Sequence, residues 1–263
     1  LQVDAFADAV FGGNPAAVVP LERWLPDDVL QAIAGENNLS ETAFVVRSDQ
    51  AGIDYAIRWM TPRAEVDLCG HATLGAAHAL WTHLGFDGDS LTLSSRSGPL
   101  RVSRVSAGYE LDFPALPLEP MAFDDAVASA LGERPTEMLA GMDLVAVYPS
   151  EADVRSIAPN LNAVAAVEGF RSVAVTAPGD SCDFVSRLFA PALGIKEDPV
   201  TGSLHCMLAP LWAGRLGTTS LDARQLSPRG GRIGCVIDGD RVRLTGSAVT
   251  YLDGTIAVPE SLS

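Results

Sequence analysis

IRWMTPRAEVDLCGHATLGAAHALW, running from Ile57 to Trp81, and SRLFAPALGIKEDPVTGSLHCMLAPLW, running from Ser186 to Trp212, are two versions of one pattern. Each carries an Arg, a Pro, an acid, a Gly followed by a polar residue, and an apolar run ending in Leu-Trp. The likeness continues downstream, where Leu93-Ser94-Ser95-Arg96-Ser97-Gly98 is matched by Leu226-Ser227-Pro228-Arg229-Gly230-Gly231 and each leads into strand-like alternation. Such self-similarity marks an internal duplication. Ala72 to Trp81 is apolar nearly all round, and a helix of that kind is normally enclosed by its own domain. The expected fold is α+β: two similar lobes, each a curled, mostly antiparallel sheet wrapped around a buried helix. One site assembled between the copies is expected, at Gly70-His71 and Gly202-Ser203.

Outward from these repeats, an opening strand leads into the turn Phe11-Gly12-Gly13-Asn14-Pro15 and a short strand from Ala16 to Val19. Pro26-Asp27-Asp28 starts a helix that runs out near Gly35 to Asn38. The loop Leu39-Ser40-Glu41 precedes a β-rich run from Thr42 to Val46. Three prolines between Pro114 and Pro120 mark the best boundary, giving lobes 1–116 and 117–263. Helices are expected near Asp124 to Leu131 and Asn160 to Val167, and hairpins at Ala107-Gly108, Asp238-Gly239 and Asp253-Gly254. Pro210, inside the second apolar helix, is expected to kink or break it. The sequence leaves open whether a final strand near Thr255 to Val258 returns to the first lobe.

The 263 residues suit two domains, each able to bury a core. A net charge of -15 without a basic cluster argues against nucleic acid or an anionic membrane surface as partner. A small anion can still be received by backbone N–H groups at a helix start. Cys69, Cys182, Cys206 and Cys235 include no C-x-x-C pair and no tight Cys/His grouping, so neither a zinc site nor a redox dithiol is indicated. Scattered cysteines fit a reducing compartment, and no apolar run is long enough to span a bilayer, so a cytoplasmic location is expected. The chain opens at Leu1 rather than Met, and a residue or a few are expected to precede it. No G-x-G-x-x-G or Walker motif supports a nucleotide cofactor.

Four blocks carry a resemblance to the phenazine-biosynthesis PhzF-like family: Gly12-Gly13-Asn14-Pro15-Ala16-Ala17-Val18, Asn38-Leu39-Ser40-Glu41-Thr42, Leu68-Cys69-Gly70-His71-Ala72-Thr73, and Glu197-Asp198-Pro199-Val200-Thr201-Gly202-Ser203-Leu204-His205. They fall in order over essentially the whole chain. The resemblance implies the diaminopimelate-epimerase fold, no metal or organic cofactor, commonly a homodimer, and an isomerase that moves a proton on a small carboxylate-bearing substrate. It implies Glu41 as the acid/base and favours substrate contact by Asp198; beside it, the paired turns point to His71 as a further catalytic residue and to Ser40, Gly70, Gly202 and Ser203 as substrate-binding residues.

The chemistry asks for such residues. A partly buried carboxylate with a raised pKa can take a proton from carbon and return it elsewhere, and Glu41 fits that task. His71 follows Gly70 at a helix start, where N–H groups receive a carboxylate and imidazole donates or shuttles a proton. Asp198 could accept from a substrate amine or orient His71; it could equally serve as a helix-entry acid. Ser203 could donate to a carboxylate or cap its helix. In related epimerases a Cys precedes the Gly in both halves, but here Cys69 is matched by Thr201, too weak an acid to act alone as a second base. One base on one face predicts a double-bond shift or tautomerisation. The alternatives are an amino- or hydroxy-acid epimerase or racemase, and a catalytically silent small-molecule-binding protein. His78 reads as a core or edge histidine, and Asn14 as a turn residue.

Overall fold

The computed structural model describes residues 1–258, and their backbone packing forms two units. Leu1–Asp112, with the chain from Thr245 onward, makes the first; Phe113–Leu244 makes the second.

In the first unit β1 (Gln2–Ala5) turns into β2 (Asn14–Leu21), its antiparallel partner. Gly13 makes that turn with φ +60°, and a Cβ there would lie 2.1 Å from the Ala5 carbonyl oxygen. Only glycine fits, and the turn delivers Asn14 into the interior. Helix α1 (Asp27–Asn37) begins after Pro26 with two acids in its first turn and ends at Asn38 in the left-handed region. Then come β3 (Glu41–Arg47), β4 (Tyr55–Met60), β5 (Glu65–Val66), α2 (Gly70–Thr82), β6 (Ser90–Ser95), β7 (Gly98–Val105) and β8 (Gly108–Pro114). Every residue of α2 from His71 to Trp81 is buried, and the helix packs on β1, β2 and β3. That enclosure is why its apolar residues show no amphipathic stripe.

Beyond β8 lie β9 (Glu119–Pro120), α3 (Asp125–Leu131, capped by Asp124), β10 (Glu137–Ala140), β11 (Leu144–Val147), α4 (Glu151–Ser156) and α5 (Leu161–Ala165). They are followed by β12 (Val173–Pro178), β13 (Phe184–Ala190), β14 (Ile195–Asp198), α6 (Gly202–Leu216), β15 (Ser220–Gln225), β16 (Gly231–Asp238) and β17 (Arg241–Gly246). A last strand, β18 (Ala248–Leu252), pairs antiparallel with β1.

Strand pairing repeats from unit to unit. β2 runs parallel to β3, β3 antiparallel to β4, β4 antiparallel to β5 and parallel to β6, and β6 antiparallel to β7. The same relations link β11 to β12, β12 to β13, β13 to β14 and β15, and β15 to β16. A side-chain brace repeats as well. Arg58 on β4 grips both carboxylate oxygens of Glu65 at 2.8 and 2.7 Å, and Arg187 on β13 grips those of Glu197 at 2.7 and 3.0 Å.

Three expectations are corrected. Pro210 lies inside α6, which is not broken there and continues to Leu216. Proline removes the N–H that would bond the Cys206 carbonyl; that carbonyl accepts instead from the Leu116 N–H at 3.0 Å. Asp253-Gly254 forms no hairpin, and the strand expected at Thr255 to Val258 is absent, because the last described strand is already complete at Leu252. No helix among the described residues is long and apolar enough to cross a membrane.

His205, fully buried on α6, faces the Thr201 carbonyl through Nδ1 at 2.8 Å, and its Nε2 makes no hydrogen bond. Burial pushes its pKa down to about 4. The unfolded chain, titrating near 6.5, then binds the extra proton first, so stability is lost as pH falls from about 6.5 toward 4. Between pH 7 and pH 5 this one group should remove about 1–2 kcal/mol of unfolding free energy. Urea titrations should show that loss shrinking in His205→Leu; an unchanged pH dependence would assign the acid sensitivity elsewhere.

Candidate functional site

Glu41 is the first residue of β3, directly opposite Ala16 of the parallel β2, and His71 is the second residue of α2. Because α2 packs on these strands, the two side chains meet. Glu41 Oε2 lies 3.2 Å from His71 Nε2, with the side chains 13% and 8% exposed. Oε2 is buried and lacks a hydrogen bond of good geometry within the protein, so the contact is an ion pair in distance but not a completed bond. On the other side of the ring, the Asn14 amide sits 3.2 Å from Nδ1, and Cys69 Sγ 3.5 Å from it. Asn14 is fully buried, so the Gly-Gly-Asn-Pro turn does more than turn the chain: it fixes the imidazole and leaves Nε2 facing Glu41.

The charges follow from this packing. Burial works to raise the Glu41 pKa, but His71, with help from Cys69, outweighs it and holds the carboxyl below its ordinary value. The raised pKa expected from sequence is therefore corrected. Burial works to lower the His71 pKa, yet the Cys69 sulfur and the Glu41 carboxylate leave it well above 6.5. Burial first, then the Glu41 charge, pushes the Cys69 thiol up to about 11. A thiol so weakly acidic is neutral at pH 7, so the negative partner that keeps His71 protonated is Glu41. The resting state is a carboxylate against an imidazolium, whose Nδ1–H requires the Asn14 amide to present its oxygen rather than its nitrogen.

Cys69 is the N-cap of α2 and Thr201 that of α6, both extended, and neither side chain makes a capping hydrogen bond. Gly70 and Gly202 are the first residues of their helices, as the repeat requires. Ser40, half-buried, immediately precedes Glu41. Donor atoms of Glu41, Cys69 and His71 all lie within 4.8 Å of one another, which corrects the expectation of no tight Cys/His grouping.

In the second unit Asp198 closes β14 and is buried. Its carboxylate accepts from the Thr201 hydroxyl, and its carbonyl accepts from Gln225 Nε2 at 2.7 Å. Ser203 does not cap α6; its Oγ accepts from Arg171 Nη2 at 2.7 Å. Arg171 is in turn held bidentately by the buried Asp143 at 2.6 and 3.0 Å. No motif marks Arg171, so sequence reading had no means to find it. His78 is structural, its Nδ1 3.0 Å from the Tyr109 hydroxyl and its Nε2 2.9 Å from Thr250 Oγ1.

Comparison with known proteins agrees with the four sequence blocks. Residues 3–254 match the family model described as phenazine biosynthesis-like protein, PhzC-PhzF. A protein of Pseudomonas aeruginosa named as an uncharacterized isomerase is 50% identical over 257 residues, covering 97% of each chain. The crystal structure of a PhzF-family phenazine biosynthesis protein from Enterococcus faecalis superposes with a TM-score of 0.94 at 47% identity, over 98% of each chain. A hydroxyproline epimerase from Agrobacterium vitis shares the fold at 12% identity, TM-score 0.59, over 95% of this chain and 90% of that one.

Proposed function

The chain belongs to the phenazine biosynthesis-like PhzC-PhzF family and is an isomerase, and from that premise we propose that Glu41 is its general acid/base, moving a proton between carbons of one small carboxylate-bearing substrate. The observation that supports this is the buried Glu41 carboxylate paired with His71 while its Oε2 lacks a completed hydrogen bond. A carboxylate ionised at neutral pH is a ready base. The neighbouring imidazolium offsets the negative charge that develops on the substrate when carbon loses its proton. The first-turn N–H groups of α2 supply a receptor for the substrate carboxylate. Acid, base and anion receptor are all protein groups, so the proposed reaction uses no organic cofactor.

Gly202 and Ser203 offer the same kind of anion-receptive turn in the second unit, with Arg171 filling an acceptor position on the Ser203 hydroxyl and leaving its proton to be donated, while the Asp198 carboxylate is an acceptor for a substrate amine or hydroxyl. Inversion by two bases is disfavoured, since Glu41 and Cys69 converge on the same ring of His71 and the Thr201 hydroxyl is engaged by Asp198. The experiment is a panel of cyclic and acyclic amino and hydroxy acids incubated in deuterated buffer. A substrate should gain solvent deuterium at carbon and emerge as a double-bond isomer or tautomer. Label accompanied by racemisation would replace this reading with an epimerase.

A further inference from the structure

We propose that Asp143 and Arg171 are positioning residues for Ser203, so that the second unit's copy of the Glu41–His71 pair is a fixed hydrogen-bond relay that orients one donor and moves no proton. The inference rests on the function proposed above, in which Ser203 helps to receive the substrate carboxylate.

The repeated brace sets the two units in register. Arg58 pairs with Phe44 across β4 and β3, and Arg187 pairs with Val175 across β13 and β12. An equal step back from Phe44 and from Val175 reaches Glu41 in the first unit and Ser172 in the second. Arg171 therefore falls at the place of Ser40. On the neighbouring strand Ala16 stands opposite Glu41, and its counterpart Asp143 immediately precedes the Leu144–Val173 pair. At the helix starts, Gly70-His71 is matched by Gly202-Ser203. In the second unit the acid has thus moved to the adjacent strand, a cation replaces Ser40, and a hydroxyl stands where the imidazole stood.

These replaced residues are joined by hydrogen bonds. The Asp143 side chain is fully buried; its Oδ1 accepts from the Ser172 hydroxyl and from Arg171 Nε at 2.6 Å, and its Oδ2 accepts from Arg171 Nη2 at 3.0 Å. A planar guanidinium gripped at both carboxylate oxygens is held in one orientation. Nη2 also donates to Ser203 Oγ at 2.7 Å, which fixes that oxygen and leaves the hydroxyl proton for a ligand. Imidazole gains and loses a proton near neutral pH, whereas a guanidinium keeps its protons at every pH at which a protein works. This copy can therefore orient a ligand but cannot serve as its base. A brace that merely tied the β10–β11 turn to α6 would affect stability alone.

The test uses the full chain labelled with ¹⁵N and acetate as the carboxylate probe, read at the amide signals of Gly202 and Ser203 and at those of Gly70 and His71. Arg171→Lys keeps the charge but loses the fork, and Asp143→Asn keeps the guanidinium but loosens its seat. Each should weaken acetate binding at Ser203 about 3–10-fold, the worth of one ordinary hydrogen bond, and leave Gly70 and His71 unaffected. In a Ser203→Ala background the same changes should add nothing, because a positioning residue acts only through what it positions. If Asp143→Asn fails to fold, Arg171→Lys decides alone. Steady-state deuterium exchange on a substrate from the panel above gives a second readout: Arg171→Lys should raise KM about 3–10-fold, with kcat and both limbs of its pH profile unmoved because Glu41 and His71 set them. Full acetate affinity in Arg171→Lys, or losses that add to that of Ser203→Ala, overturns the positioning role while leaving Glu41 as the base. Acetate that shifts none of these amides removes the anion-receptive turns, and with them the function on which the inference rests.

Discussion

Glu41→Gln is expected to lower kcat by about two to four orders of magnitude, with near-unchanged thermal unfolding and substrate affinity. The amide keeps the shape of the side chain but cannot hold a proton taken from carbon. It also removes the negative charge that holds His71 protonated. Burial, opposed then only by the Cys69 sulfur, should move the His71 pKa down, and an NMR titration of its ring protons would record the drop. The wild-type pH profile follows from the same pair. With Glu41 as the proposed base, activity should fade on acidification only below the ordinary carboxylate range, because the folded-state pKa is lowered. It should fade on the alkaline side as His71 loses its proton, well above 6.5. A variant that retains more than about a tenth of wild-type kcat would remove Glu41 from the chemical step, while an unmoved His71 would contradict the ion pair.

How far the sequence reaches can be judged residue by residue. The duplication is visible where the start and the burial of a helix constrain both copies, as in Cys69-Gly70-His71 against Thr201-Gly202-Ser203 and in the paired Leu-Trp helix ends. Upstream the same topology recurs in β2–β3 and β11–β12, but strands buried among apolar neighbours accept many interchangeable residues, and no likeness survives in the letters. Pro210 misleads because proline's cost is local and its remedy is not: the Leu116 N–H that meets the Cys206 carbonyl lies 90 positions away along the chain. Glu41 misleads in a similar way. Burial alone raises a carboxyl pKa, and the sign reverses only once the ring of His71, 30 positions on, is known to stand 3.2 Å off. Asn14 reads as a turn residue in the linear sequence, and only the packing of α2 brings His71 to its amide.

The largest expected loss of stability comes from the repeated brace, and the two copies should not respond alike. Arg187→Met should destabilise the protein by about 3–5 kcal/mol. The guanidinium serves both Glu197 oxygens and also donates to the Val154 and Ile157 carbonyls at 3.1 and 2.7 Å, where α4 ends. With its partner 16% exposed and itself 12%, the truncation leaves a nearly buried carboxylate uncompensated and two carbonyls without their donor. Against a total stability of about 5–15 kcal/mol, that fraction is large. Adding Glu197→Gln should recover about 1–2 kcal/mol by removing the stranded charge, which separates an electrostatic cause from simple loss of packing. Arg58→Met, the equivalent change in the first unit, should cost only about 1–2 kcal/mol. Glu65 keeps Arg96 at 2.7 Å, and the other partner, Asp27, is 79% exposed and returns to water. Urea midpoints for the three variants test this order. Equal losses for Arg58→Met and Arg187→Met would mean that the second cation at Glu65 contributes nothing, and partner count would fail as the explanation for how each brace holds its unit.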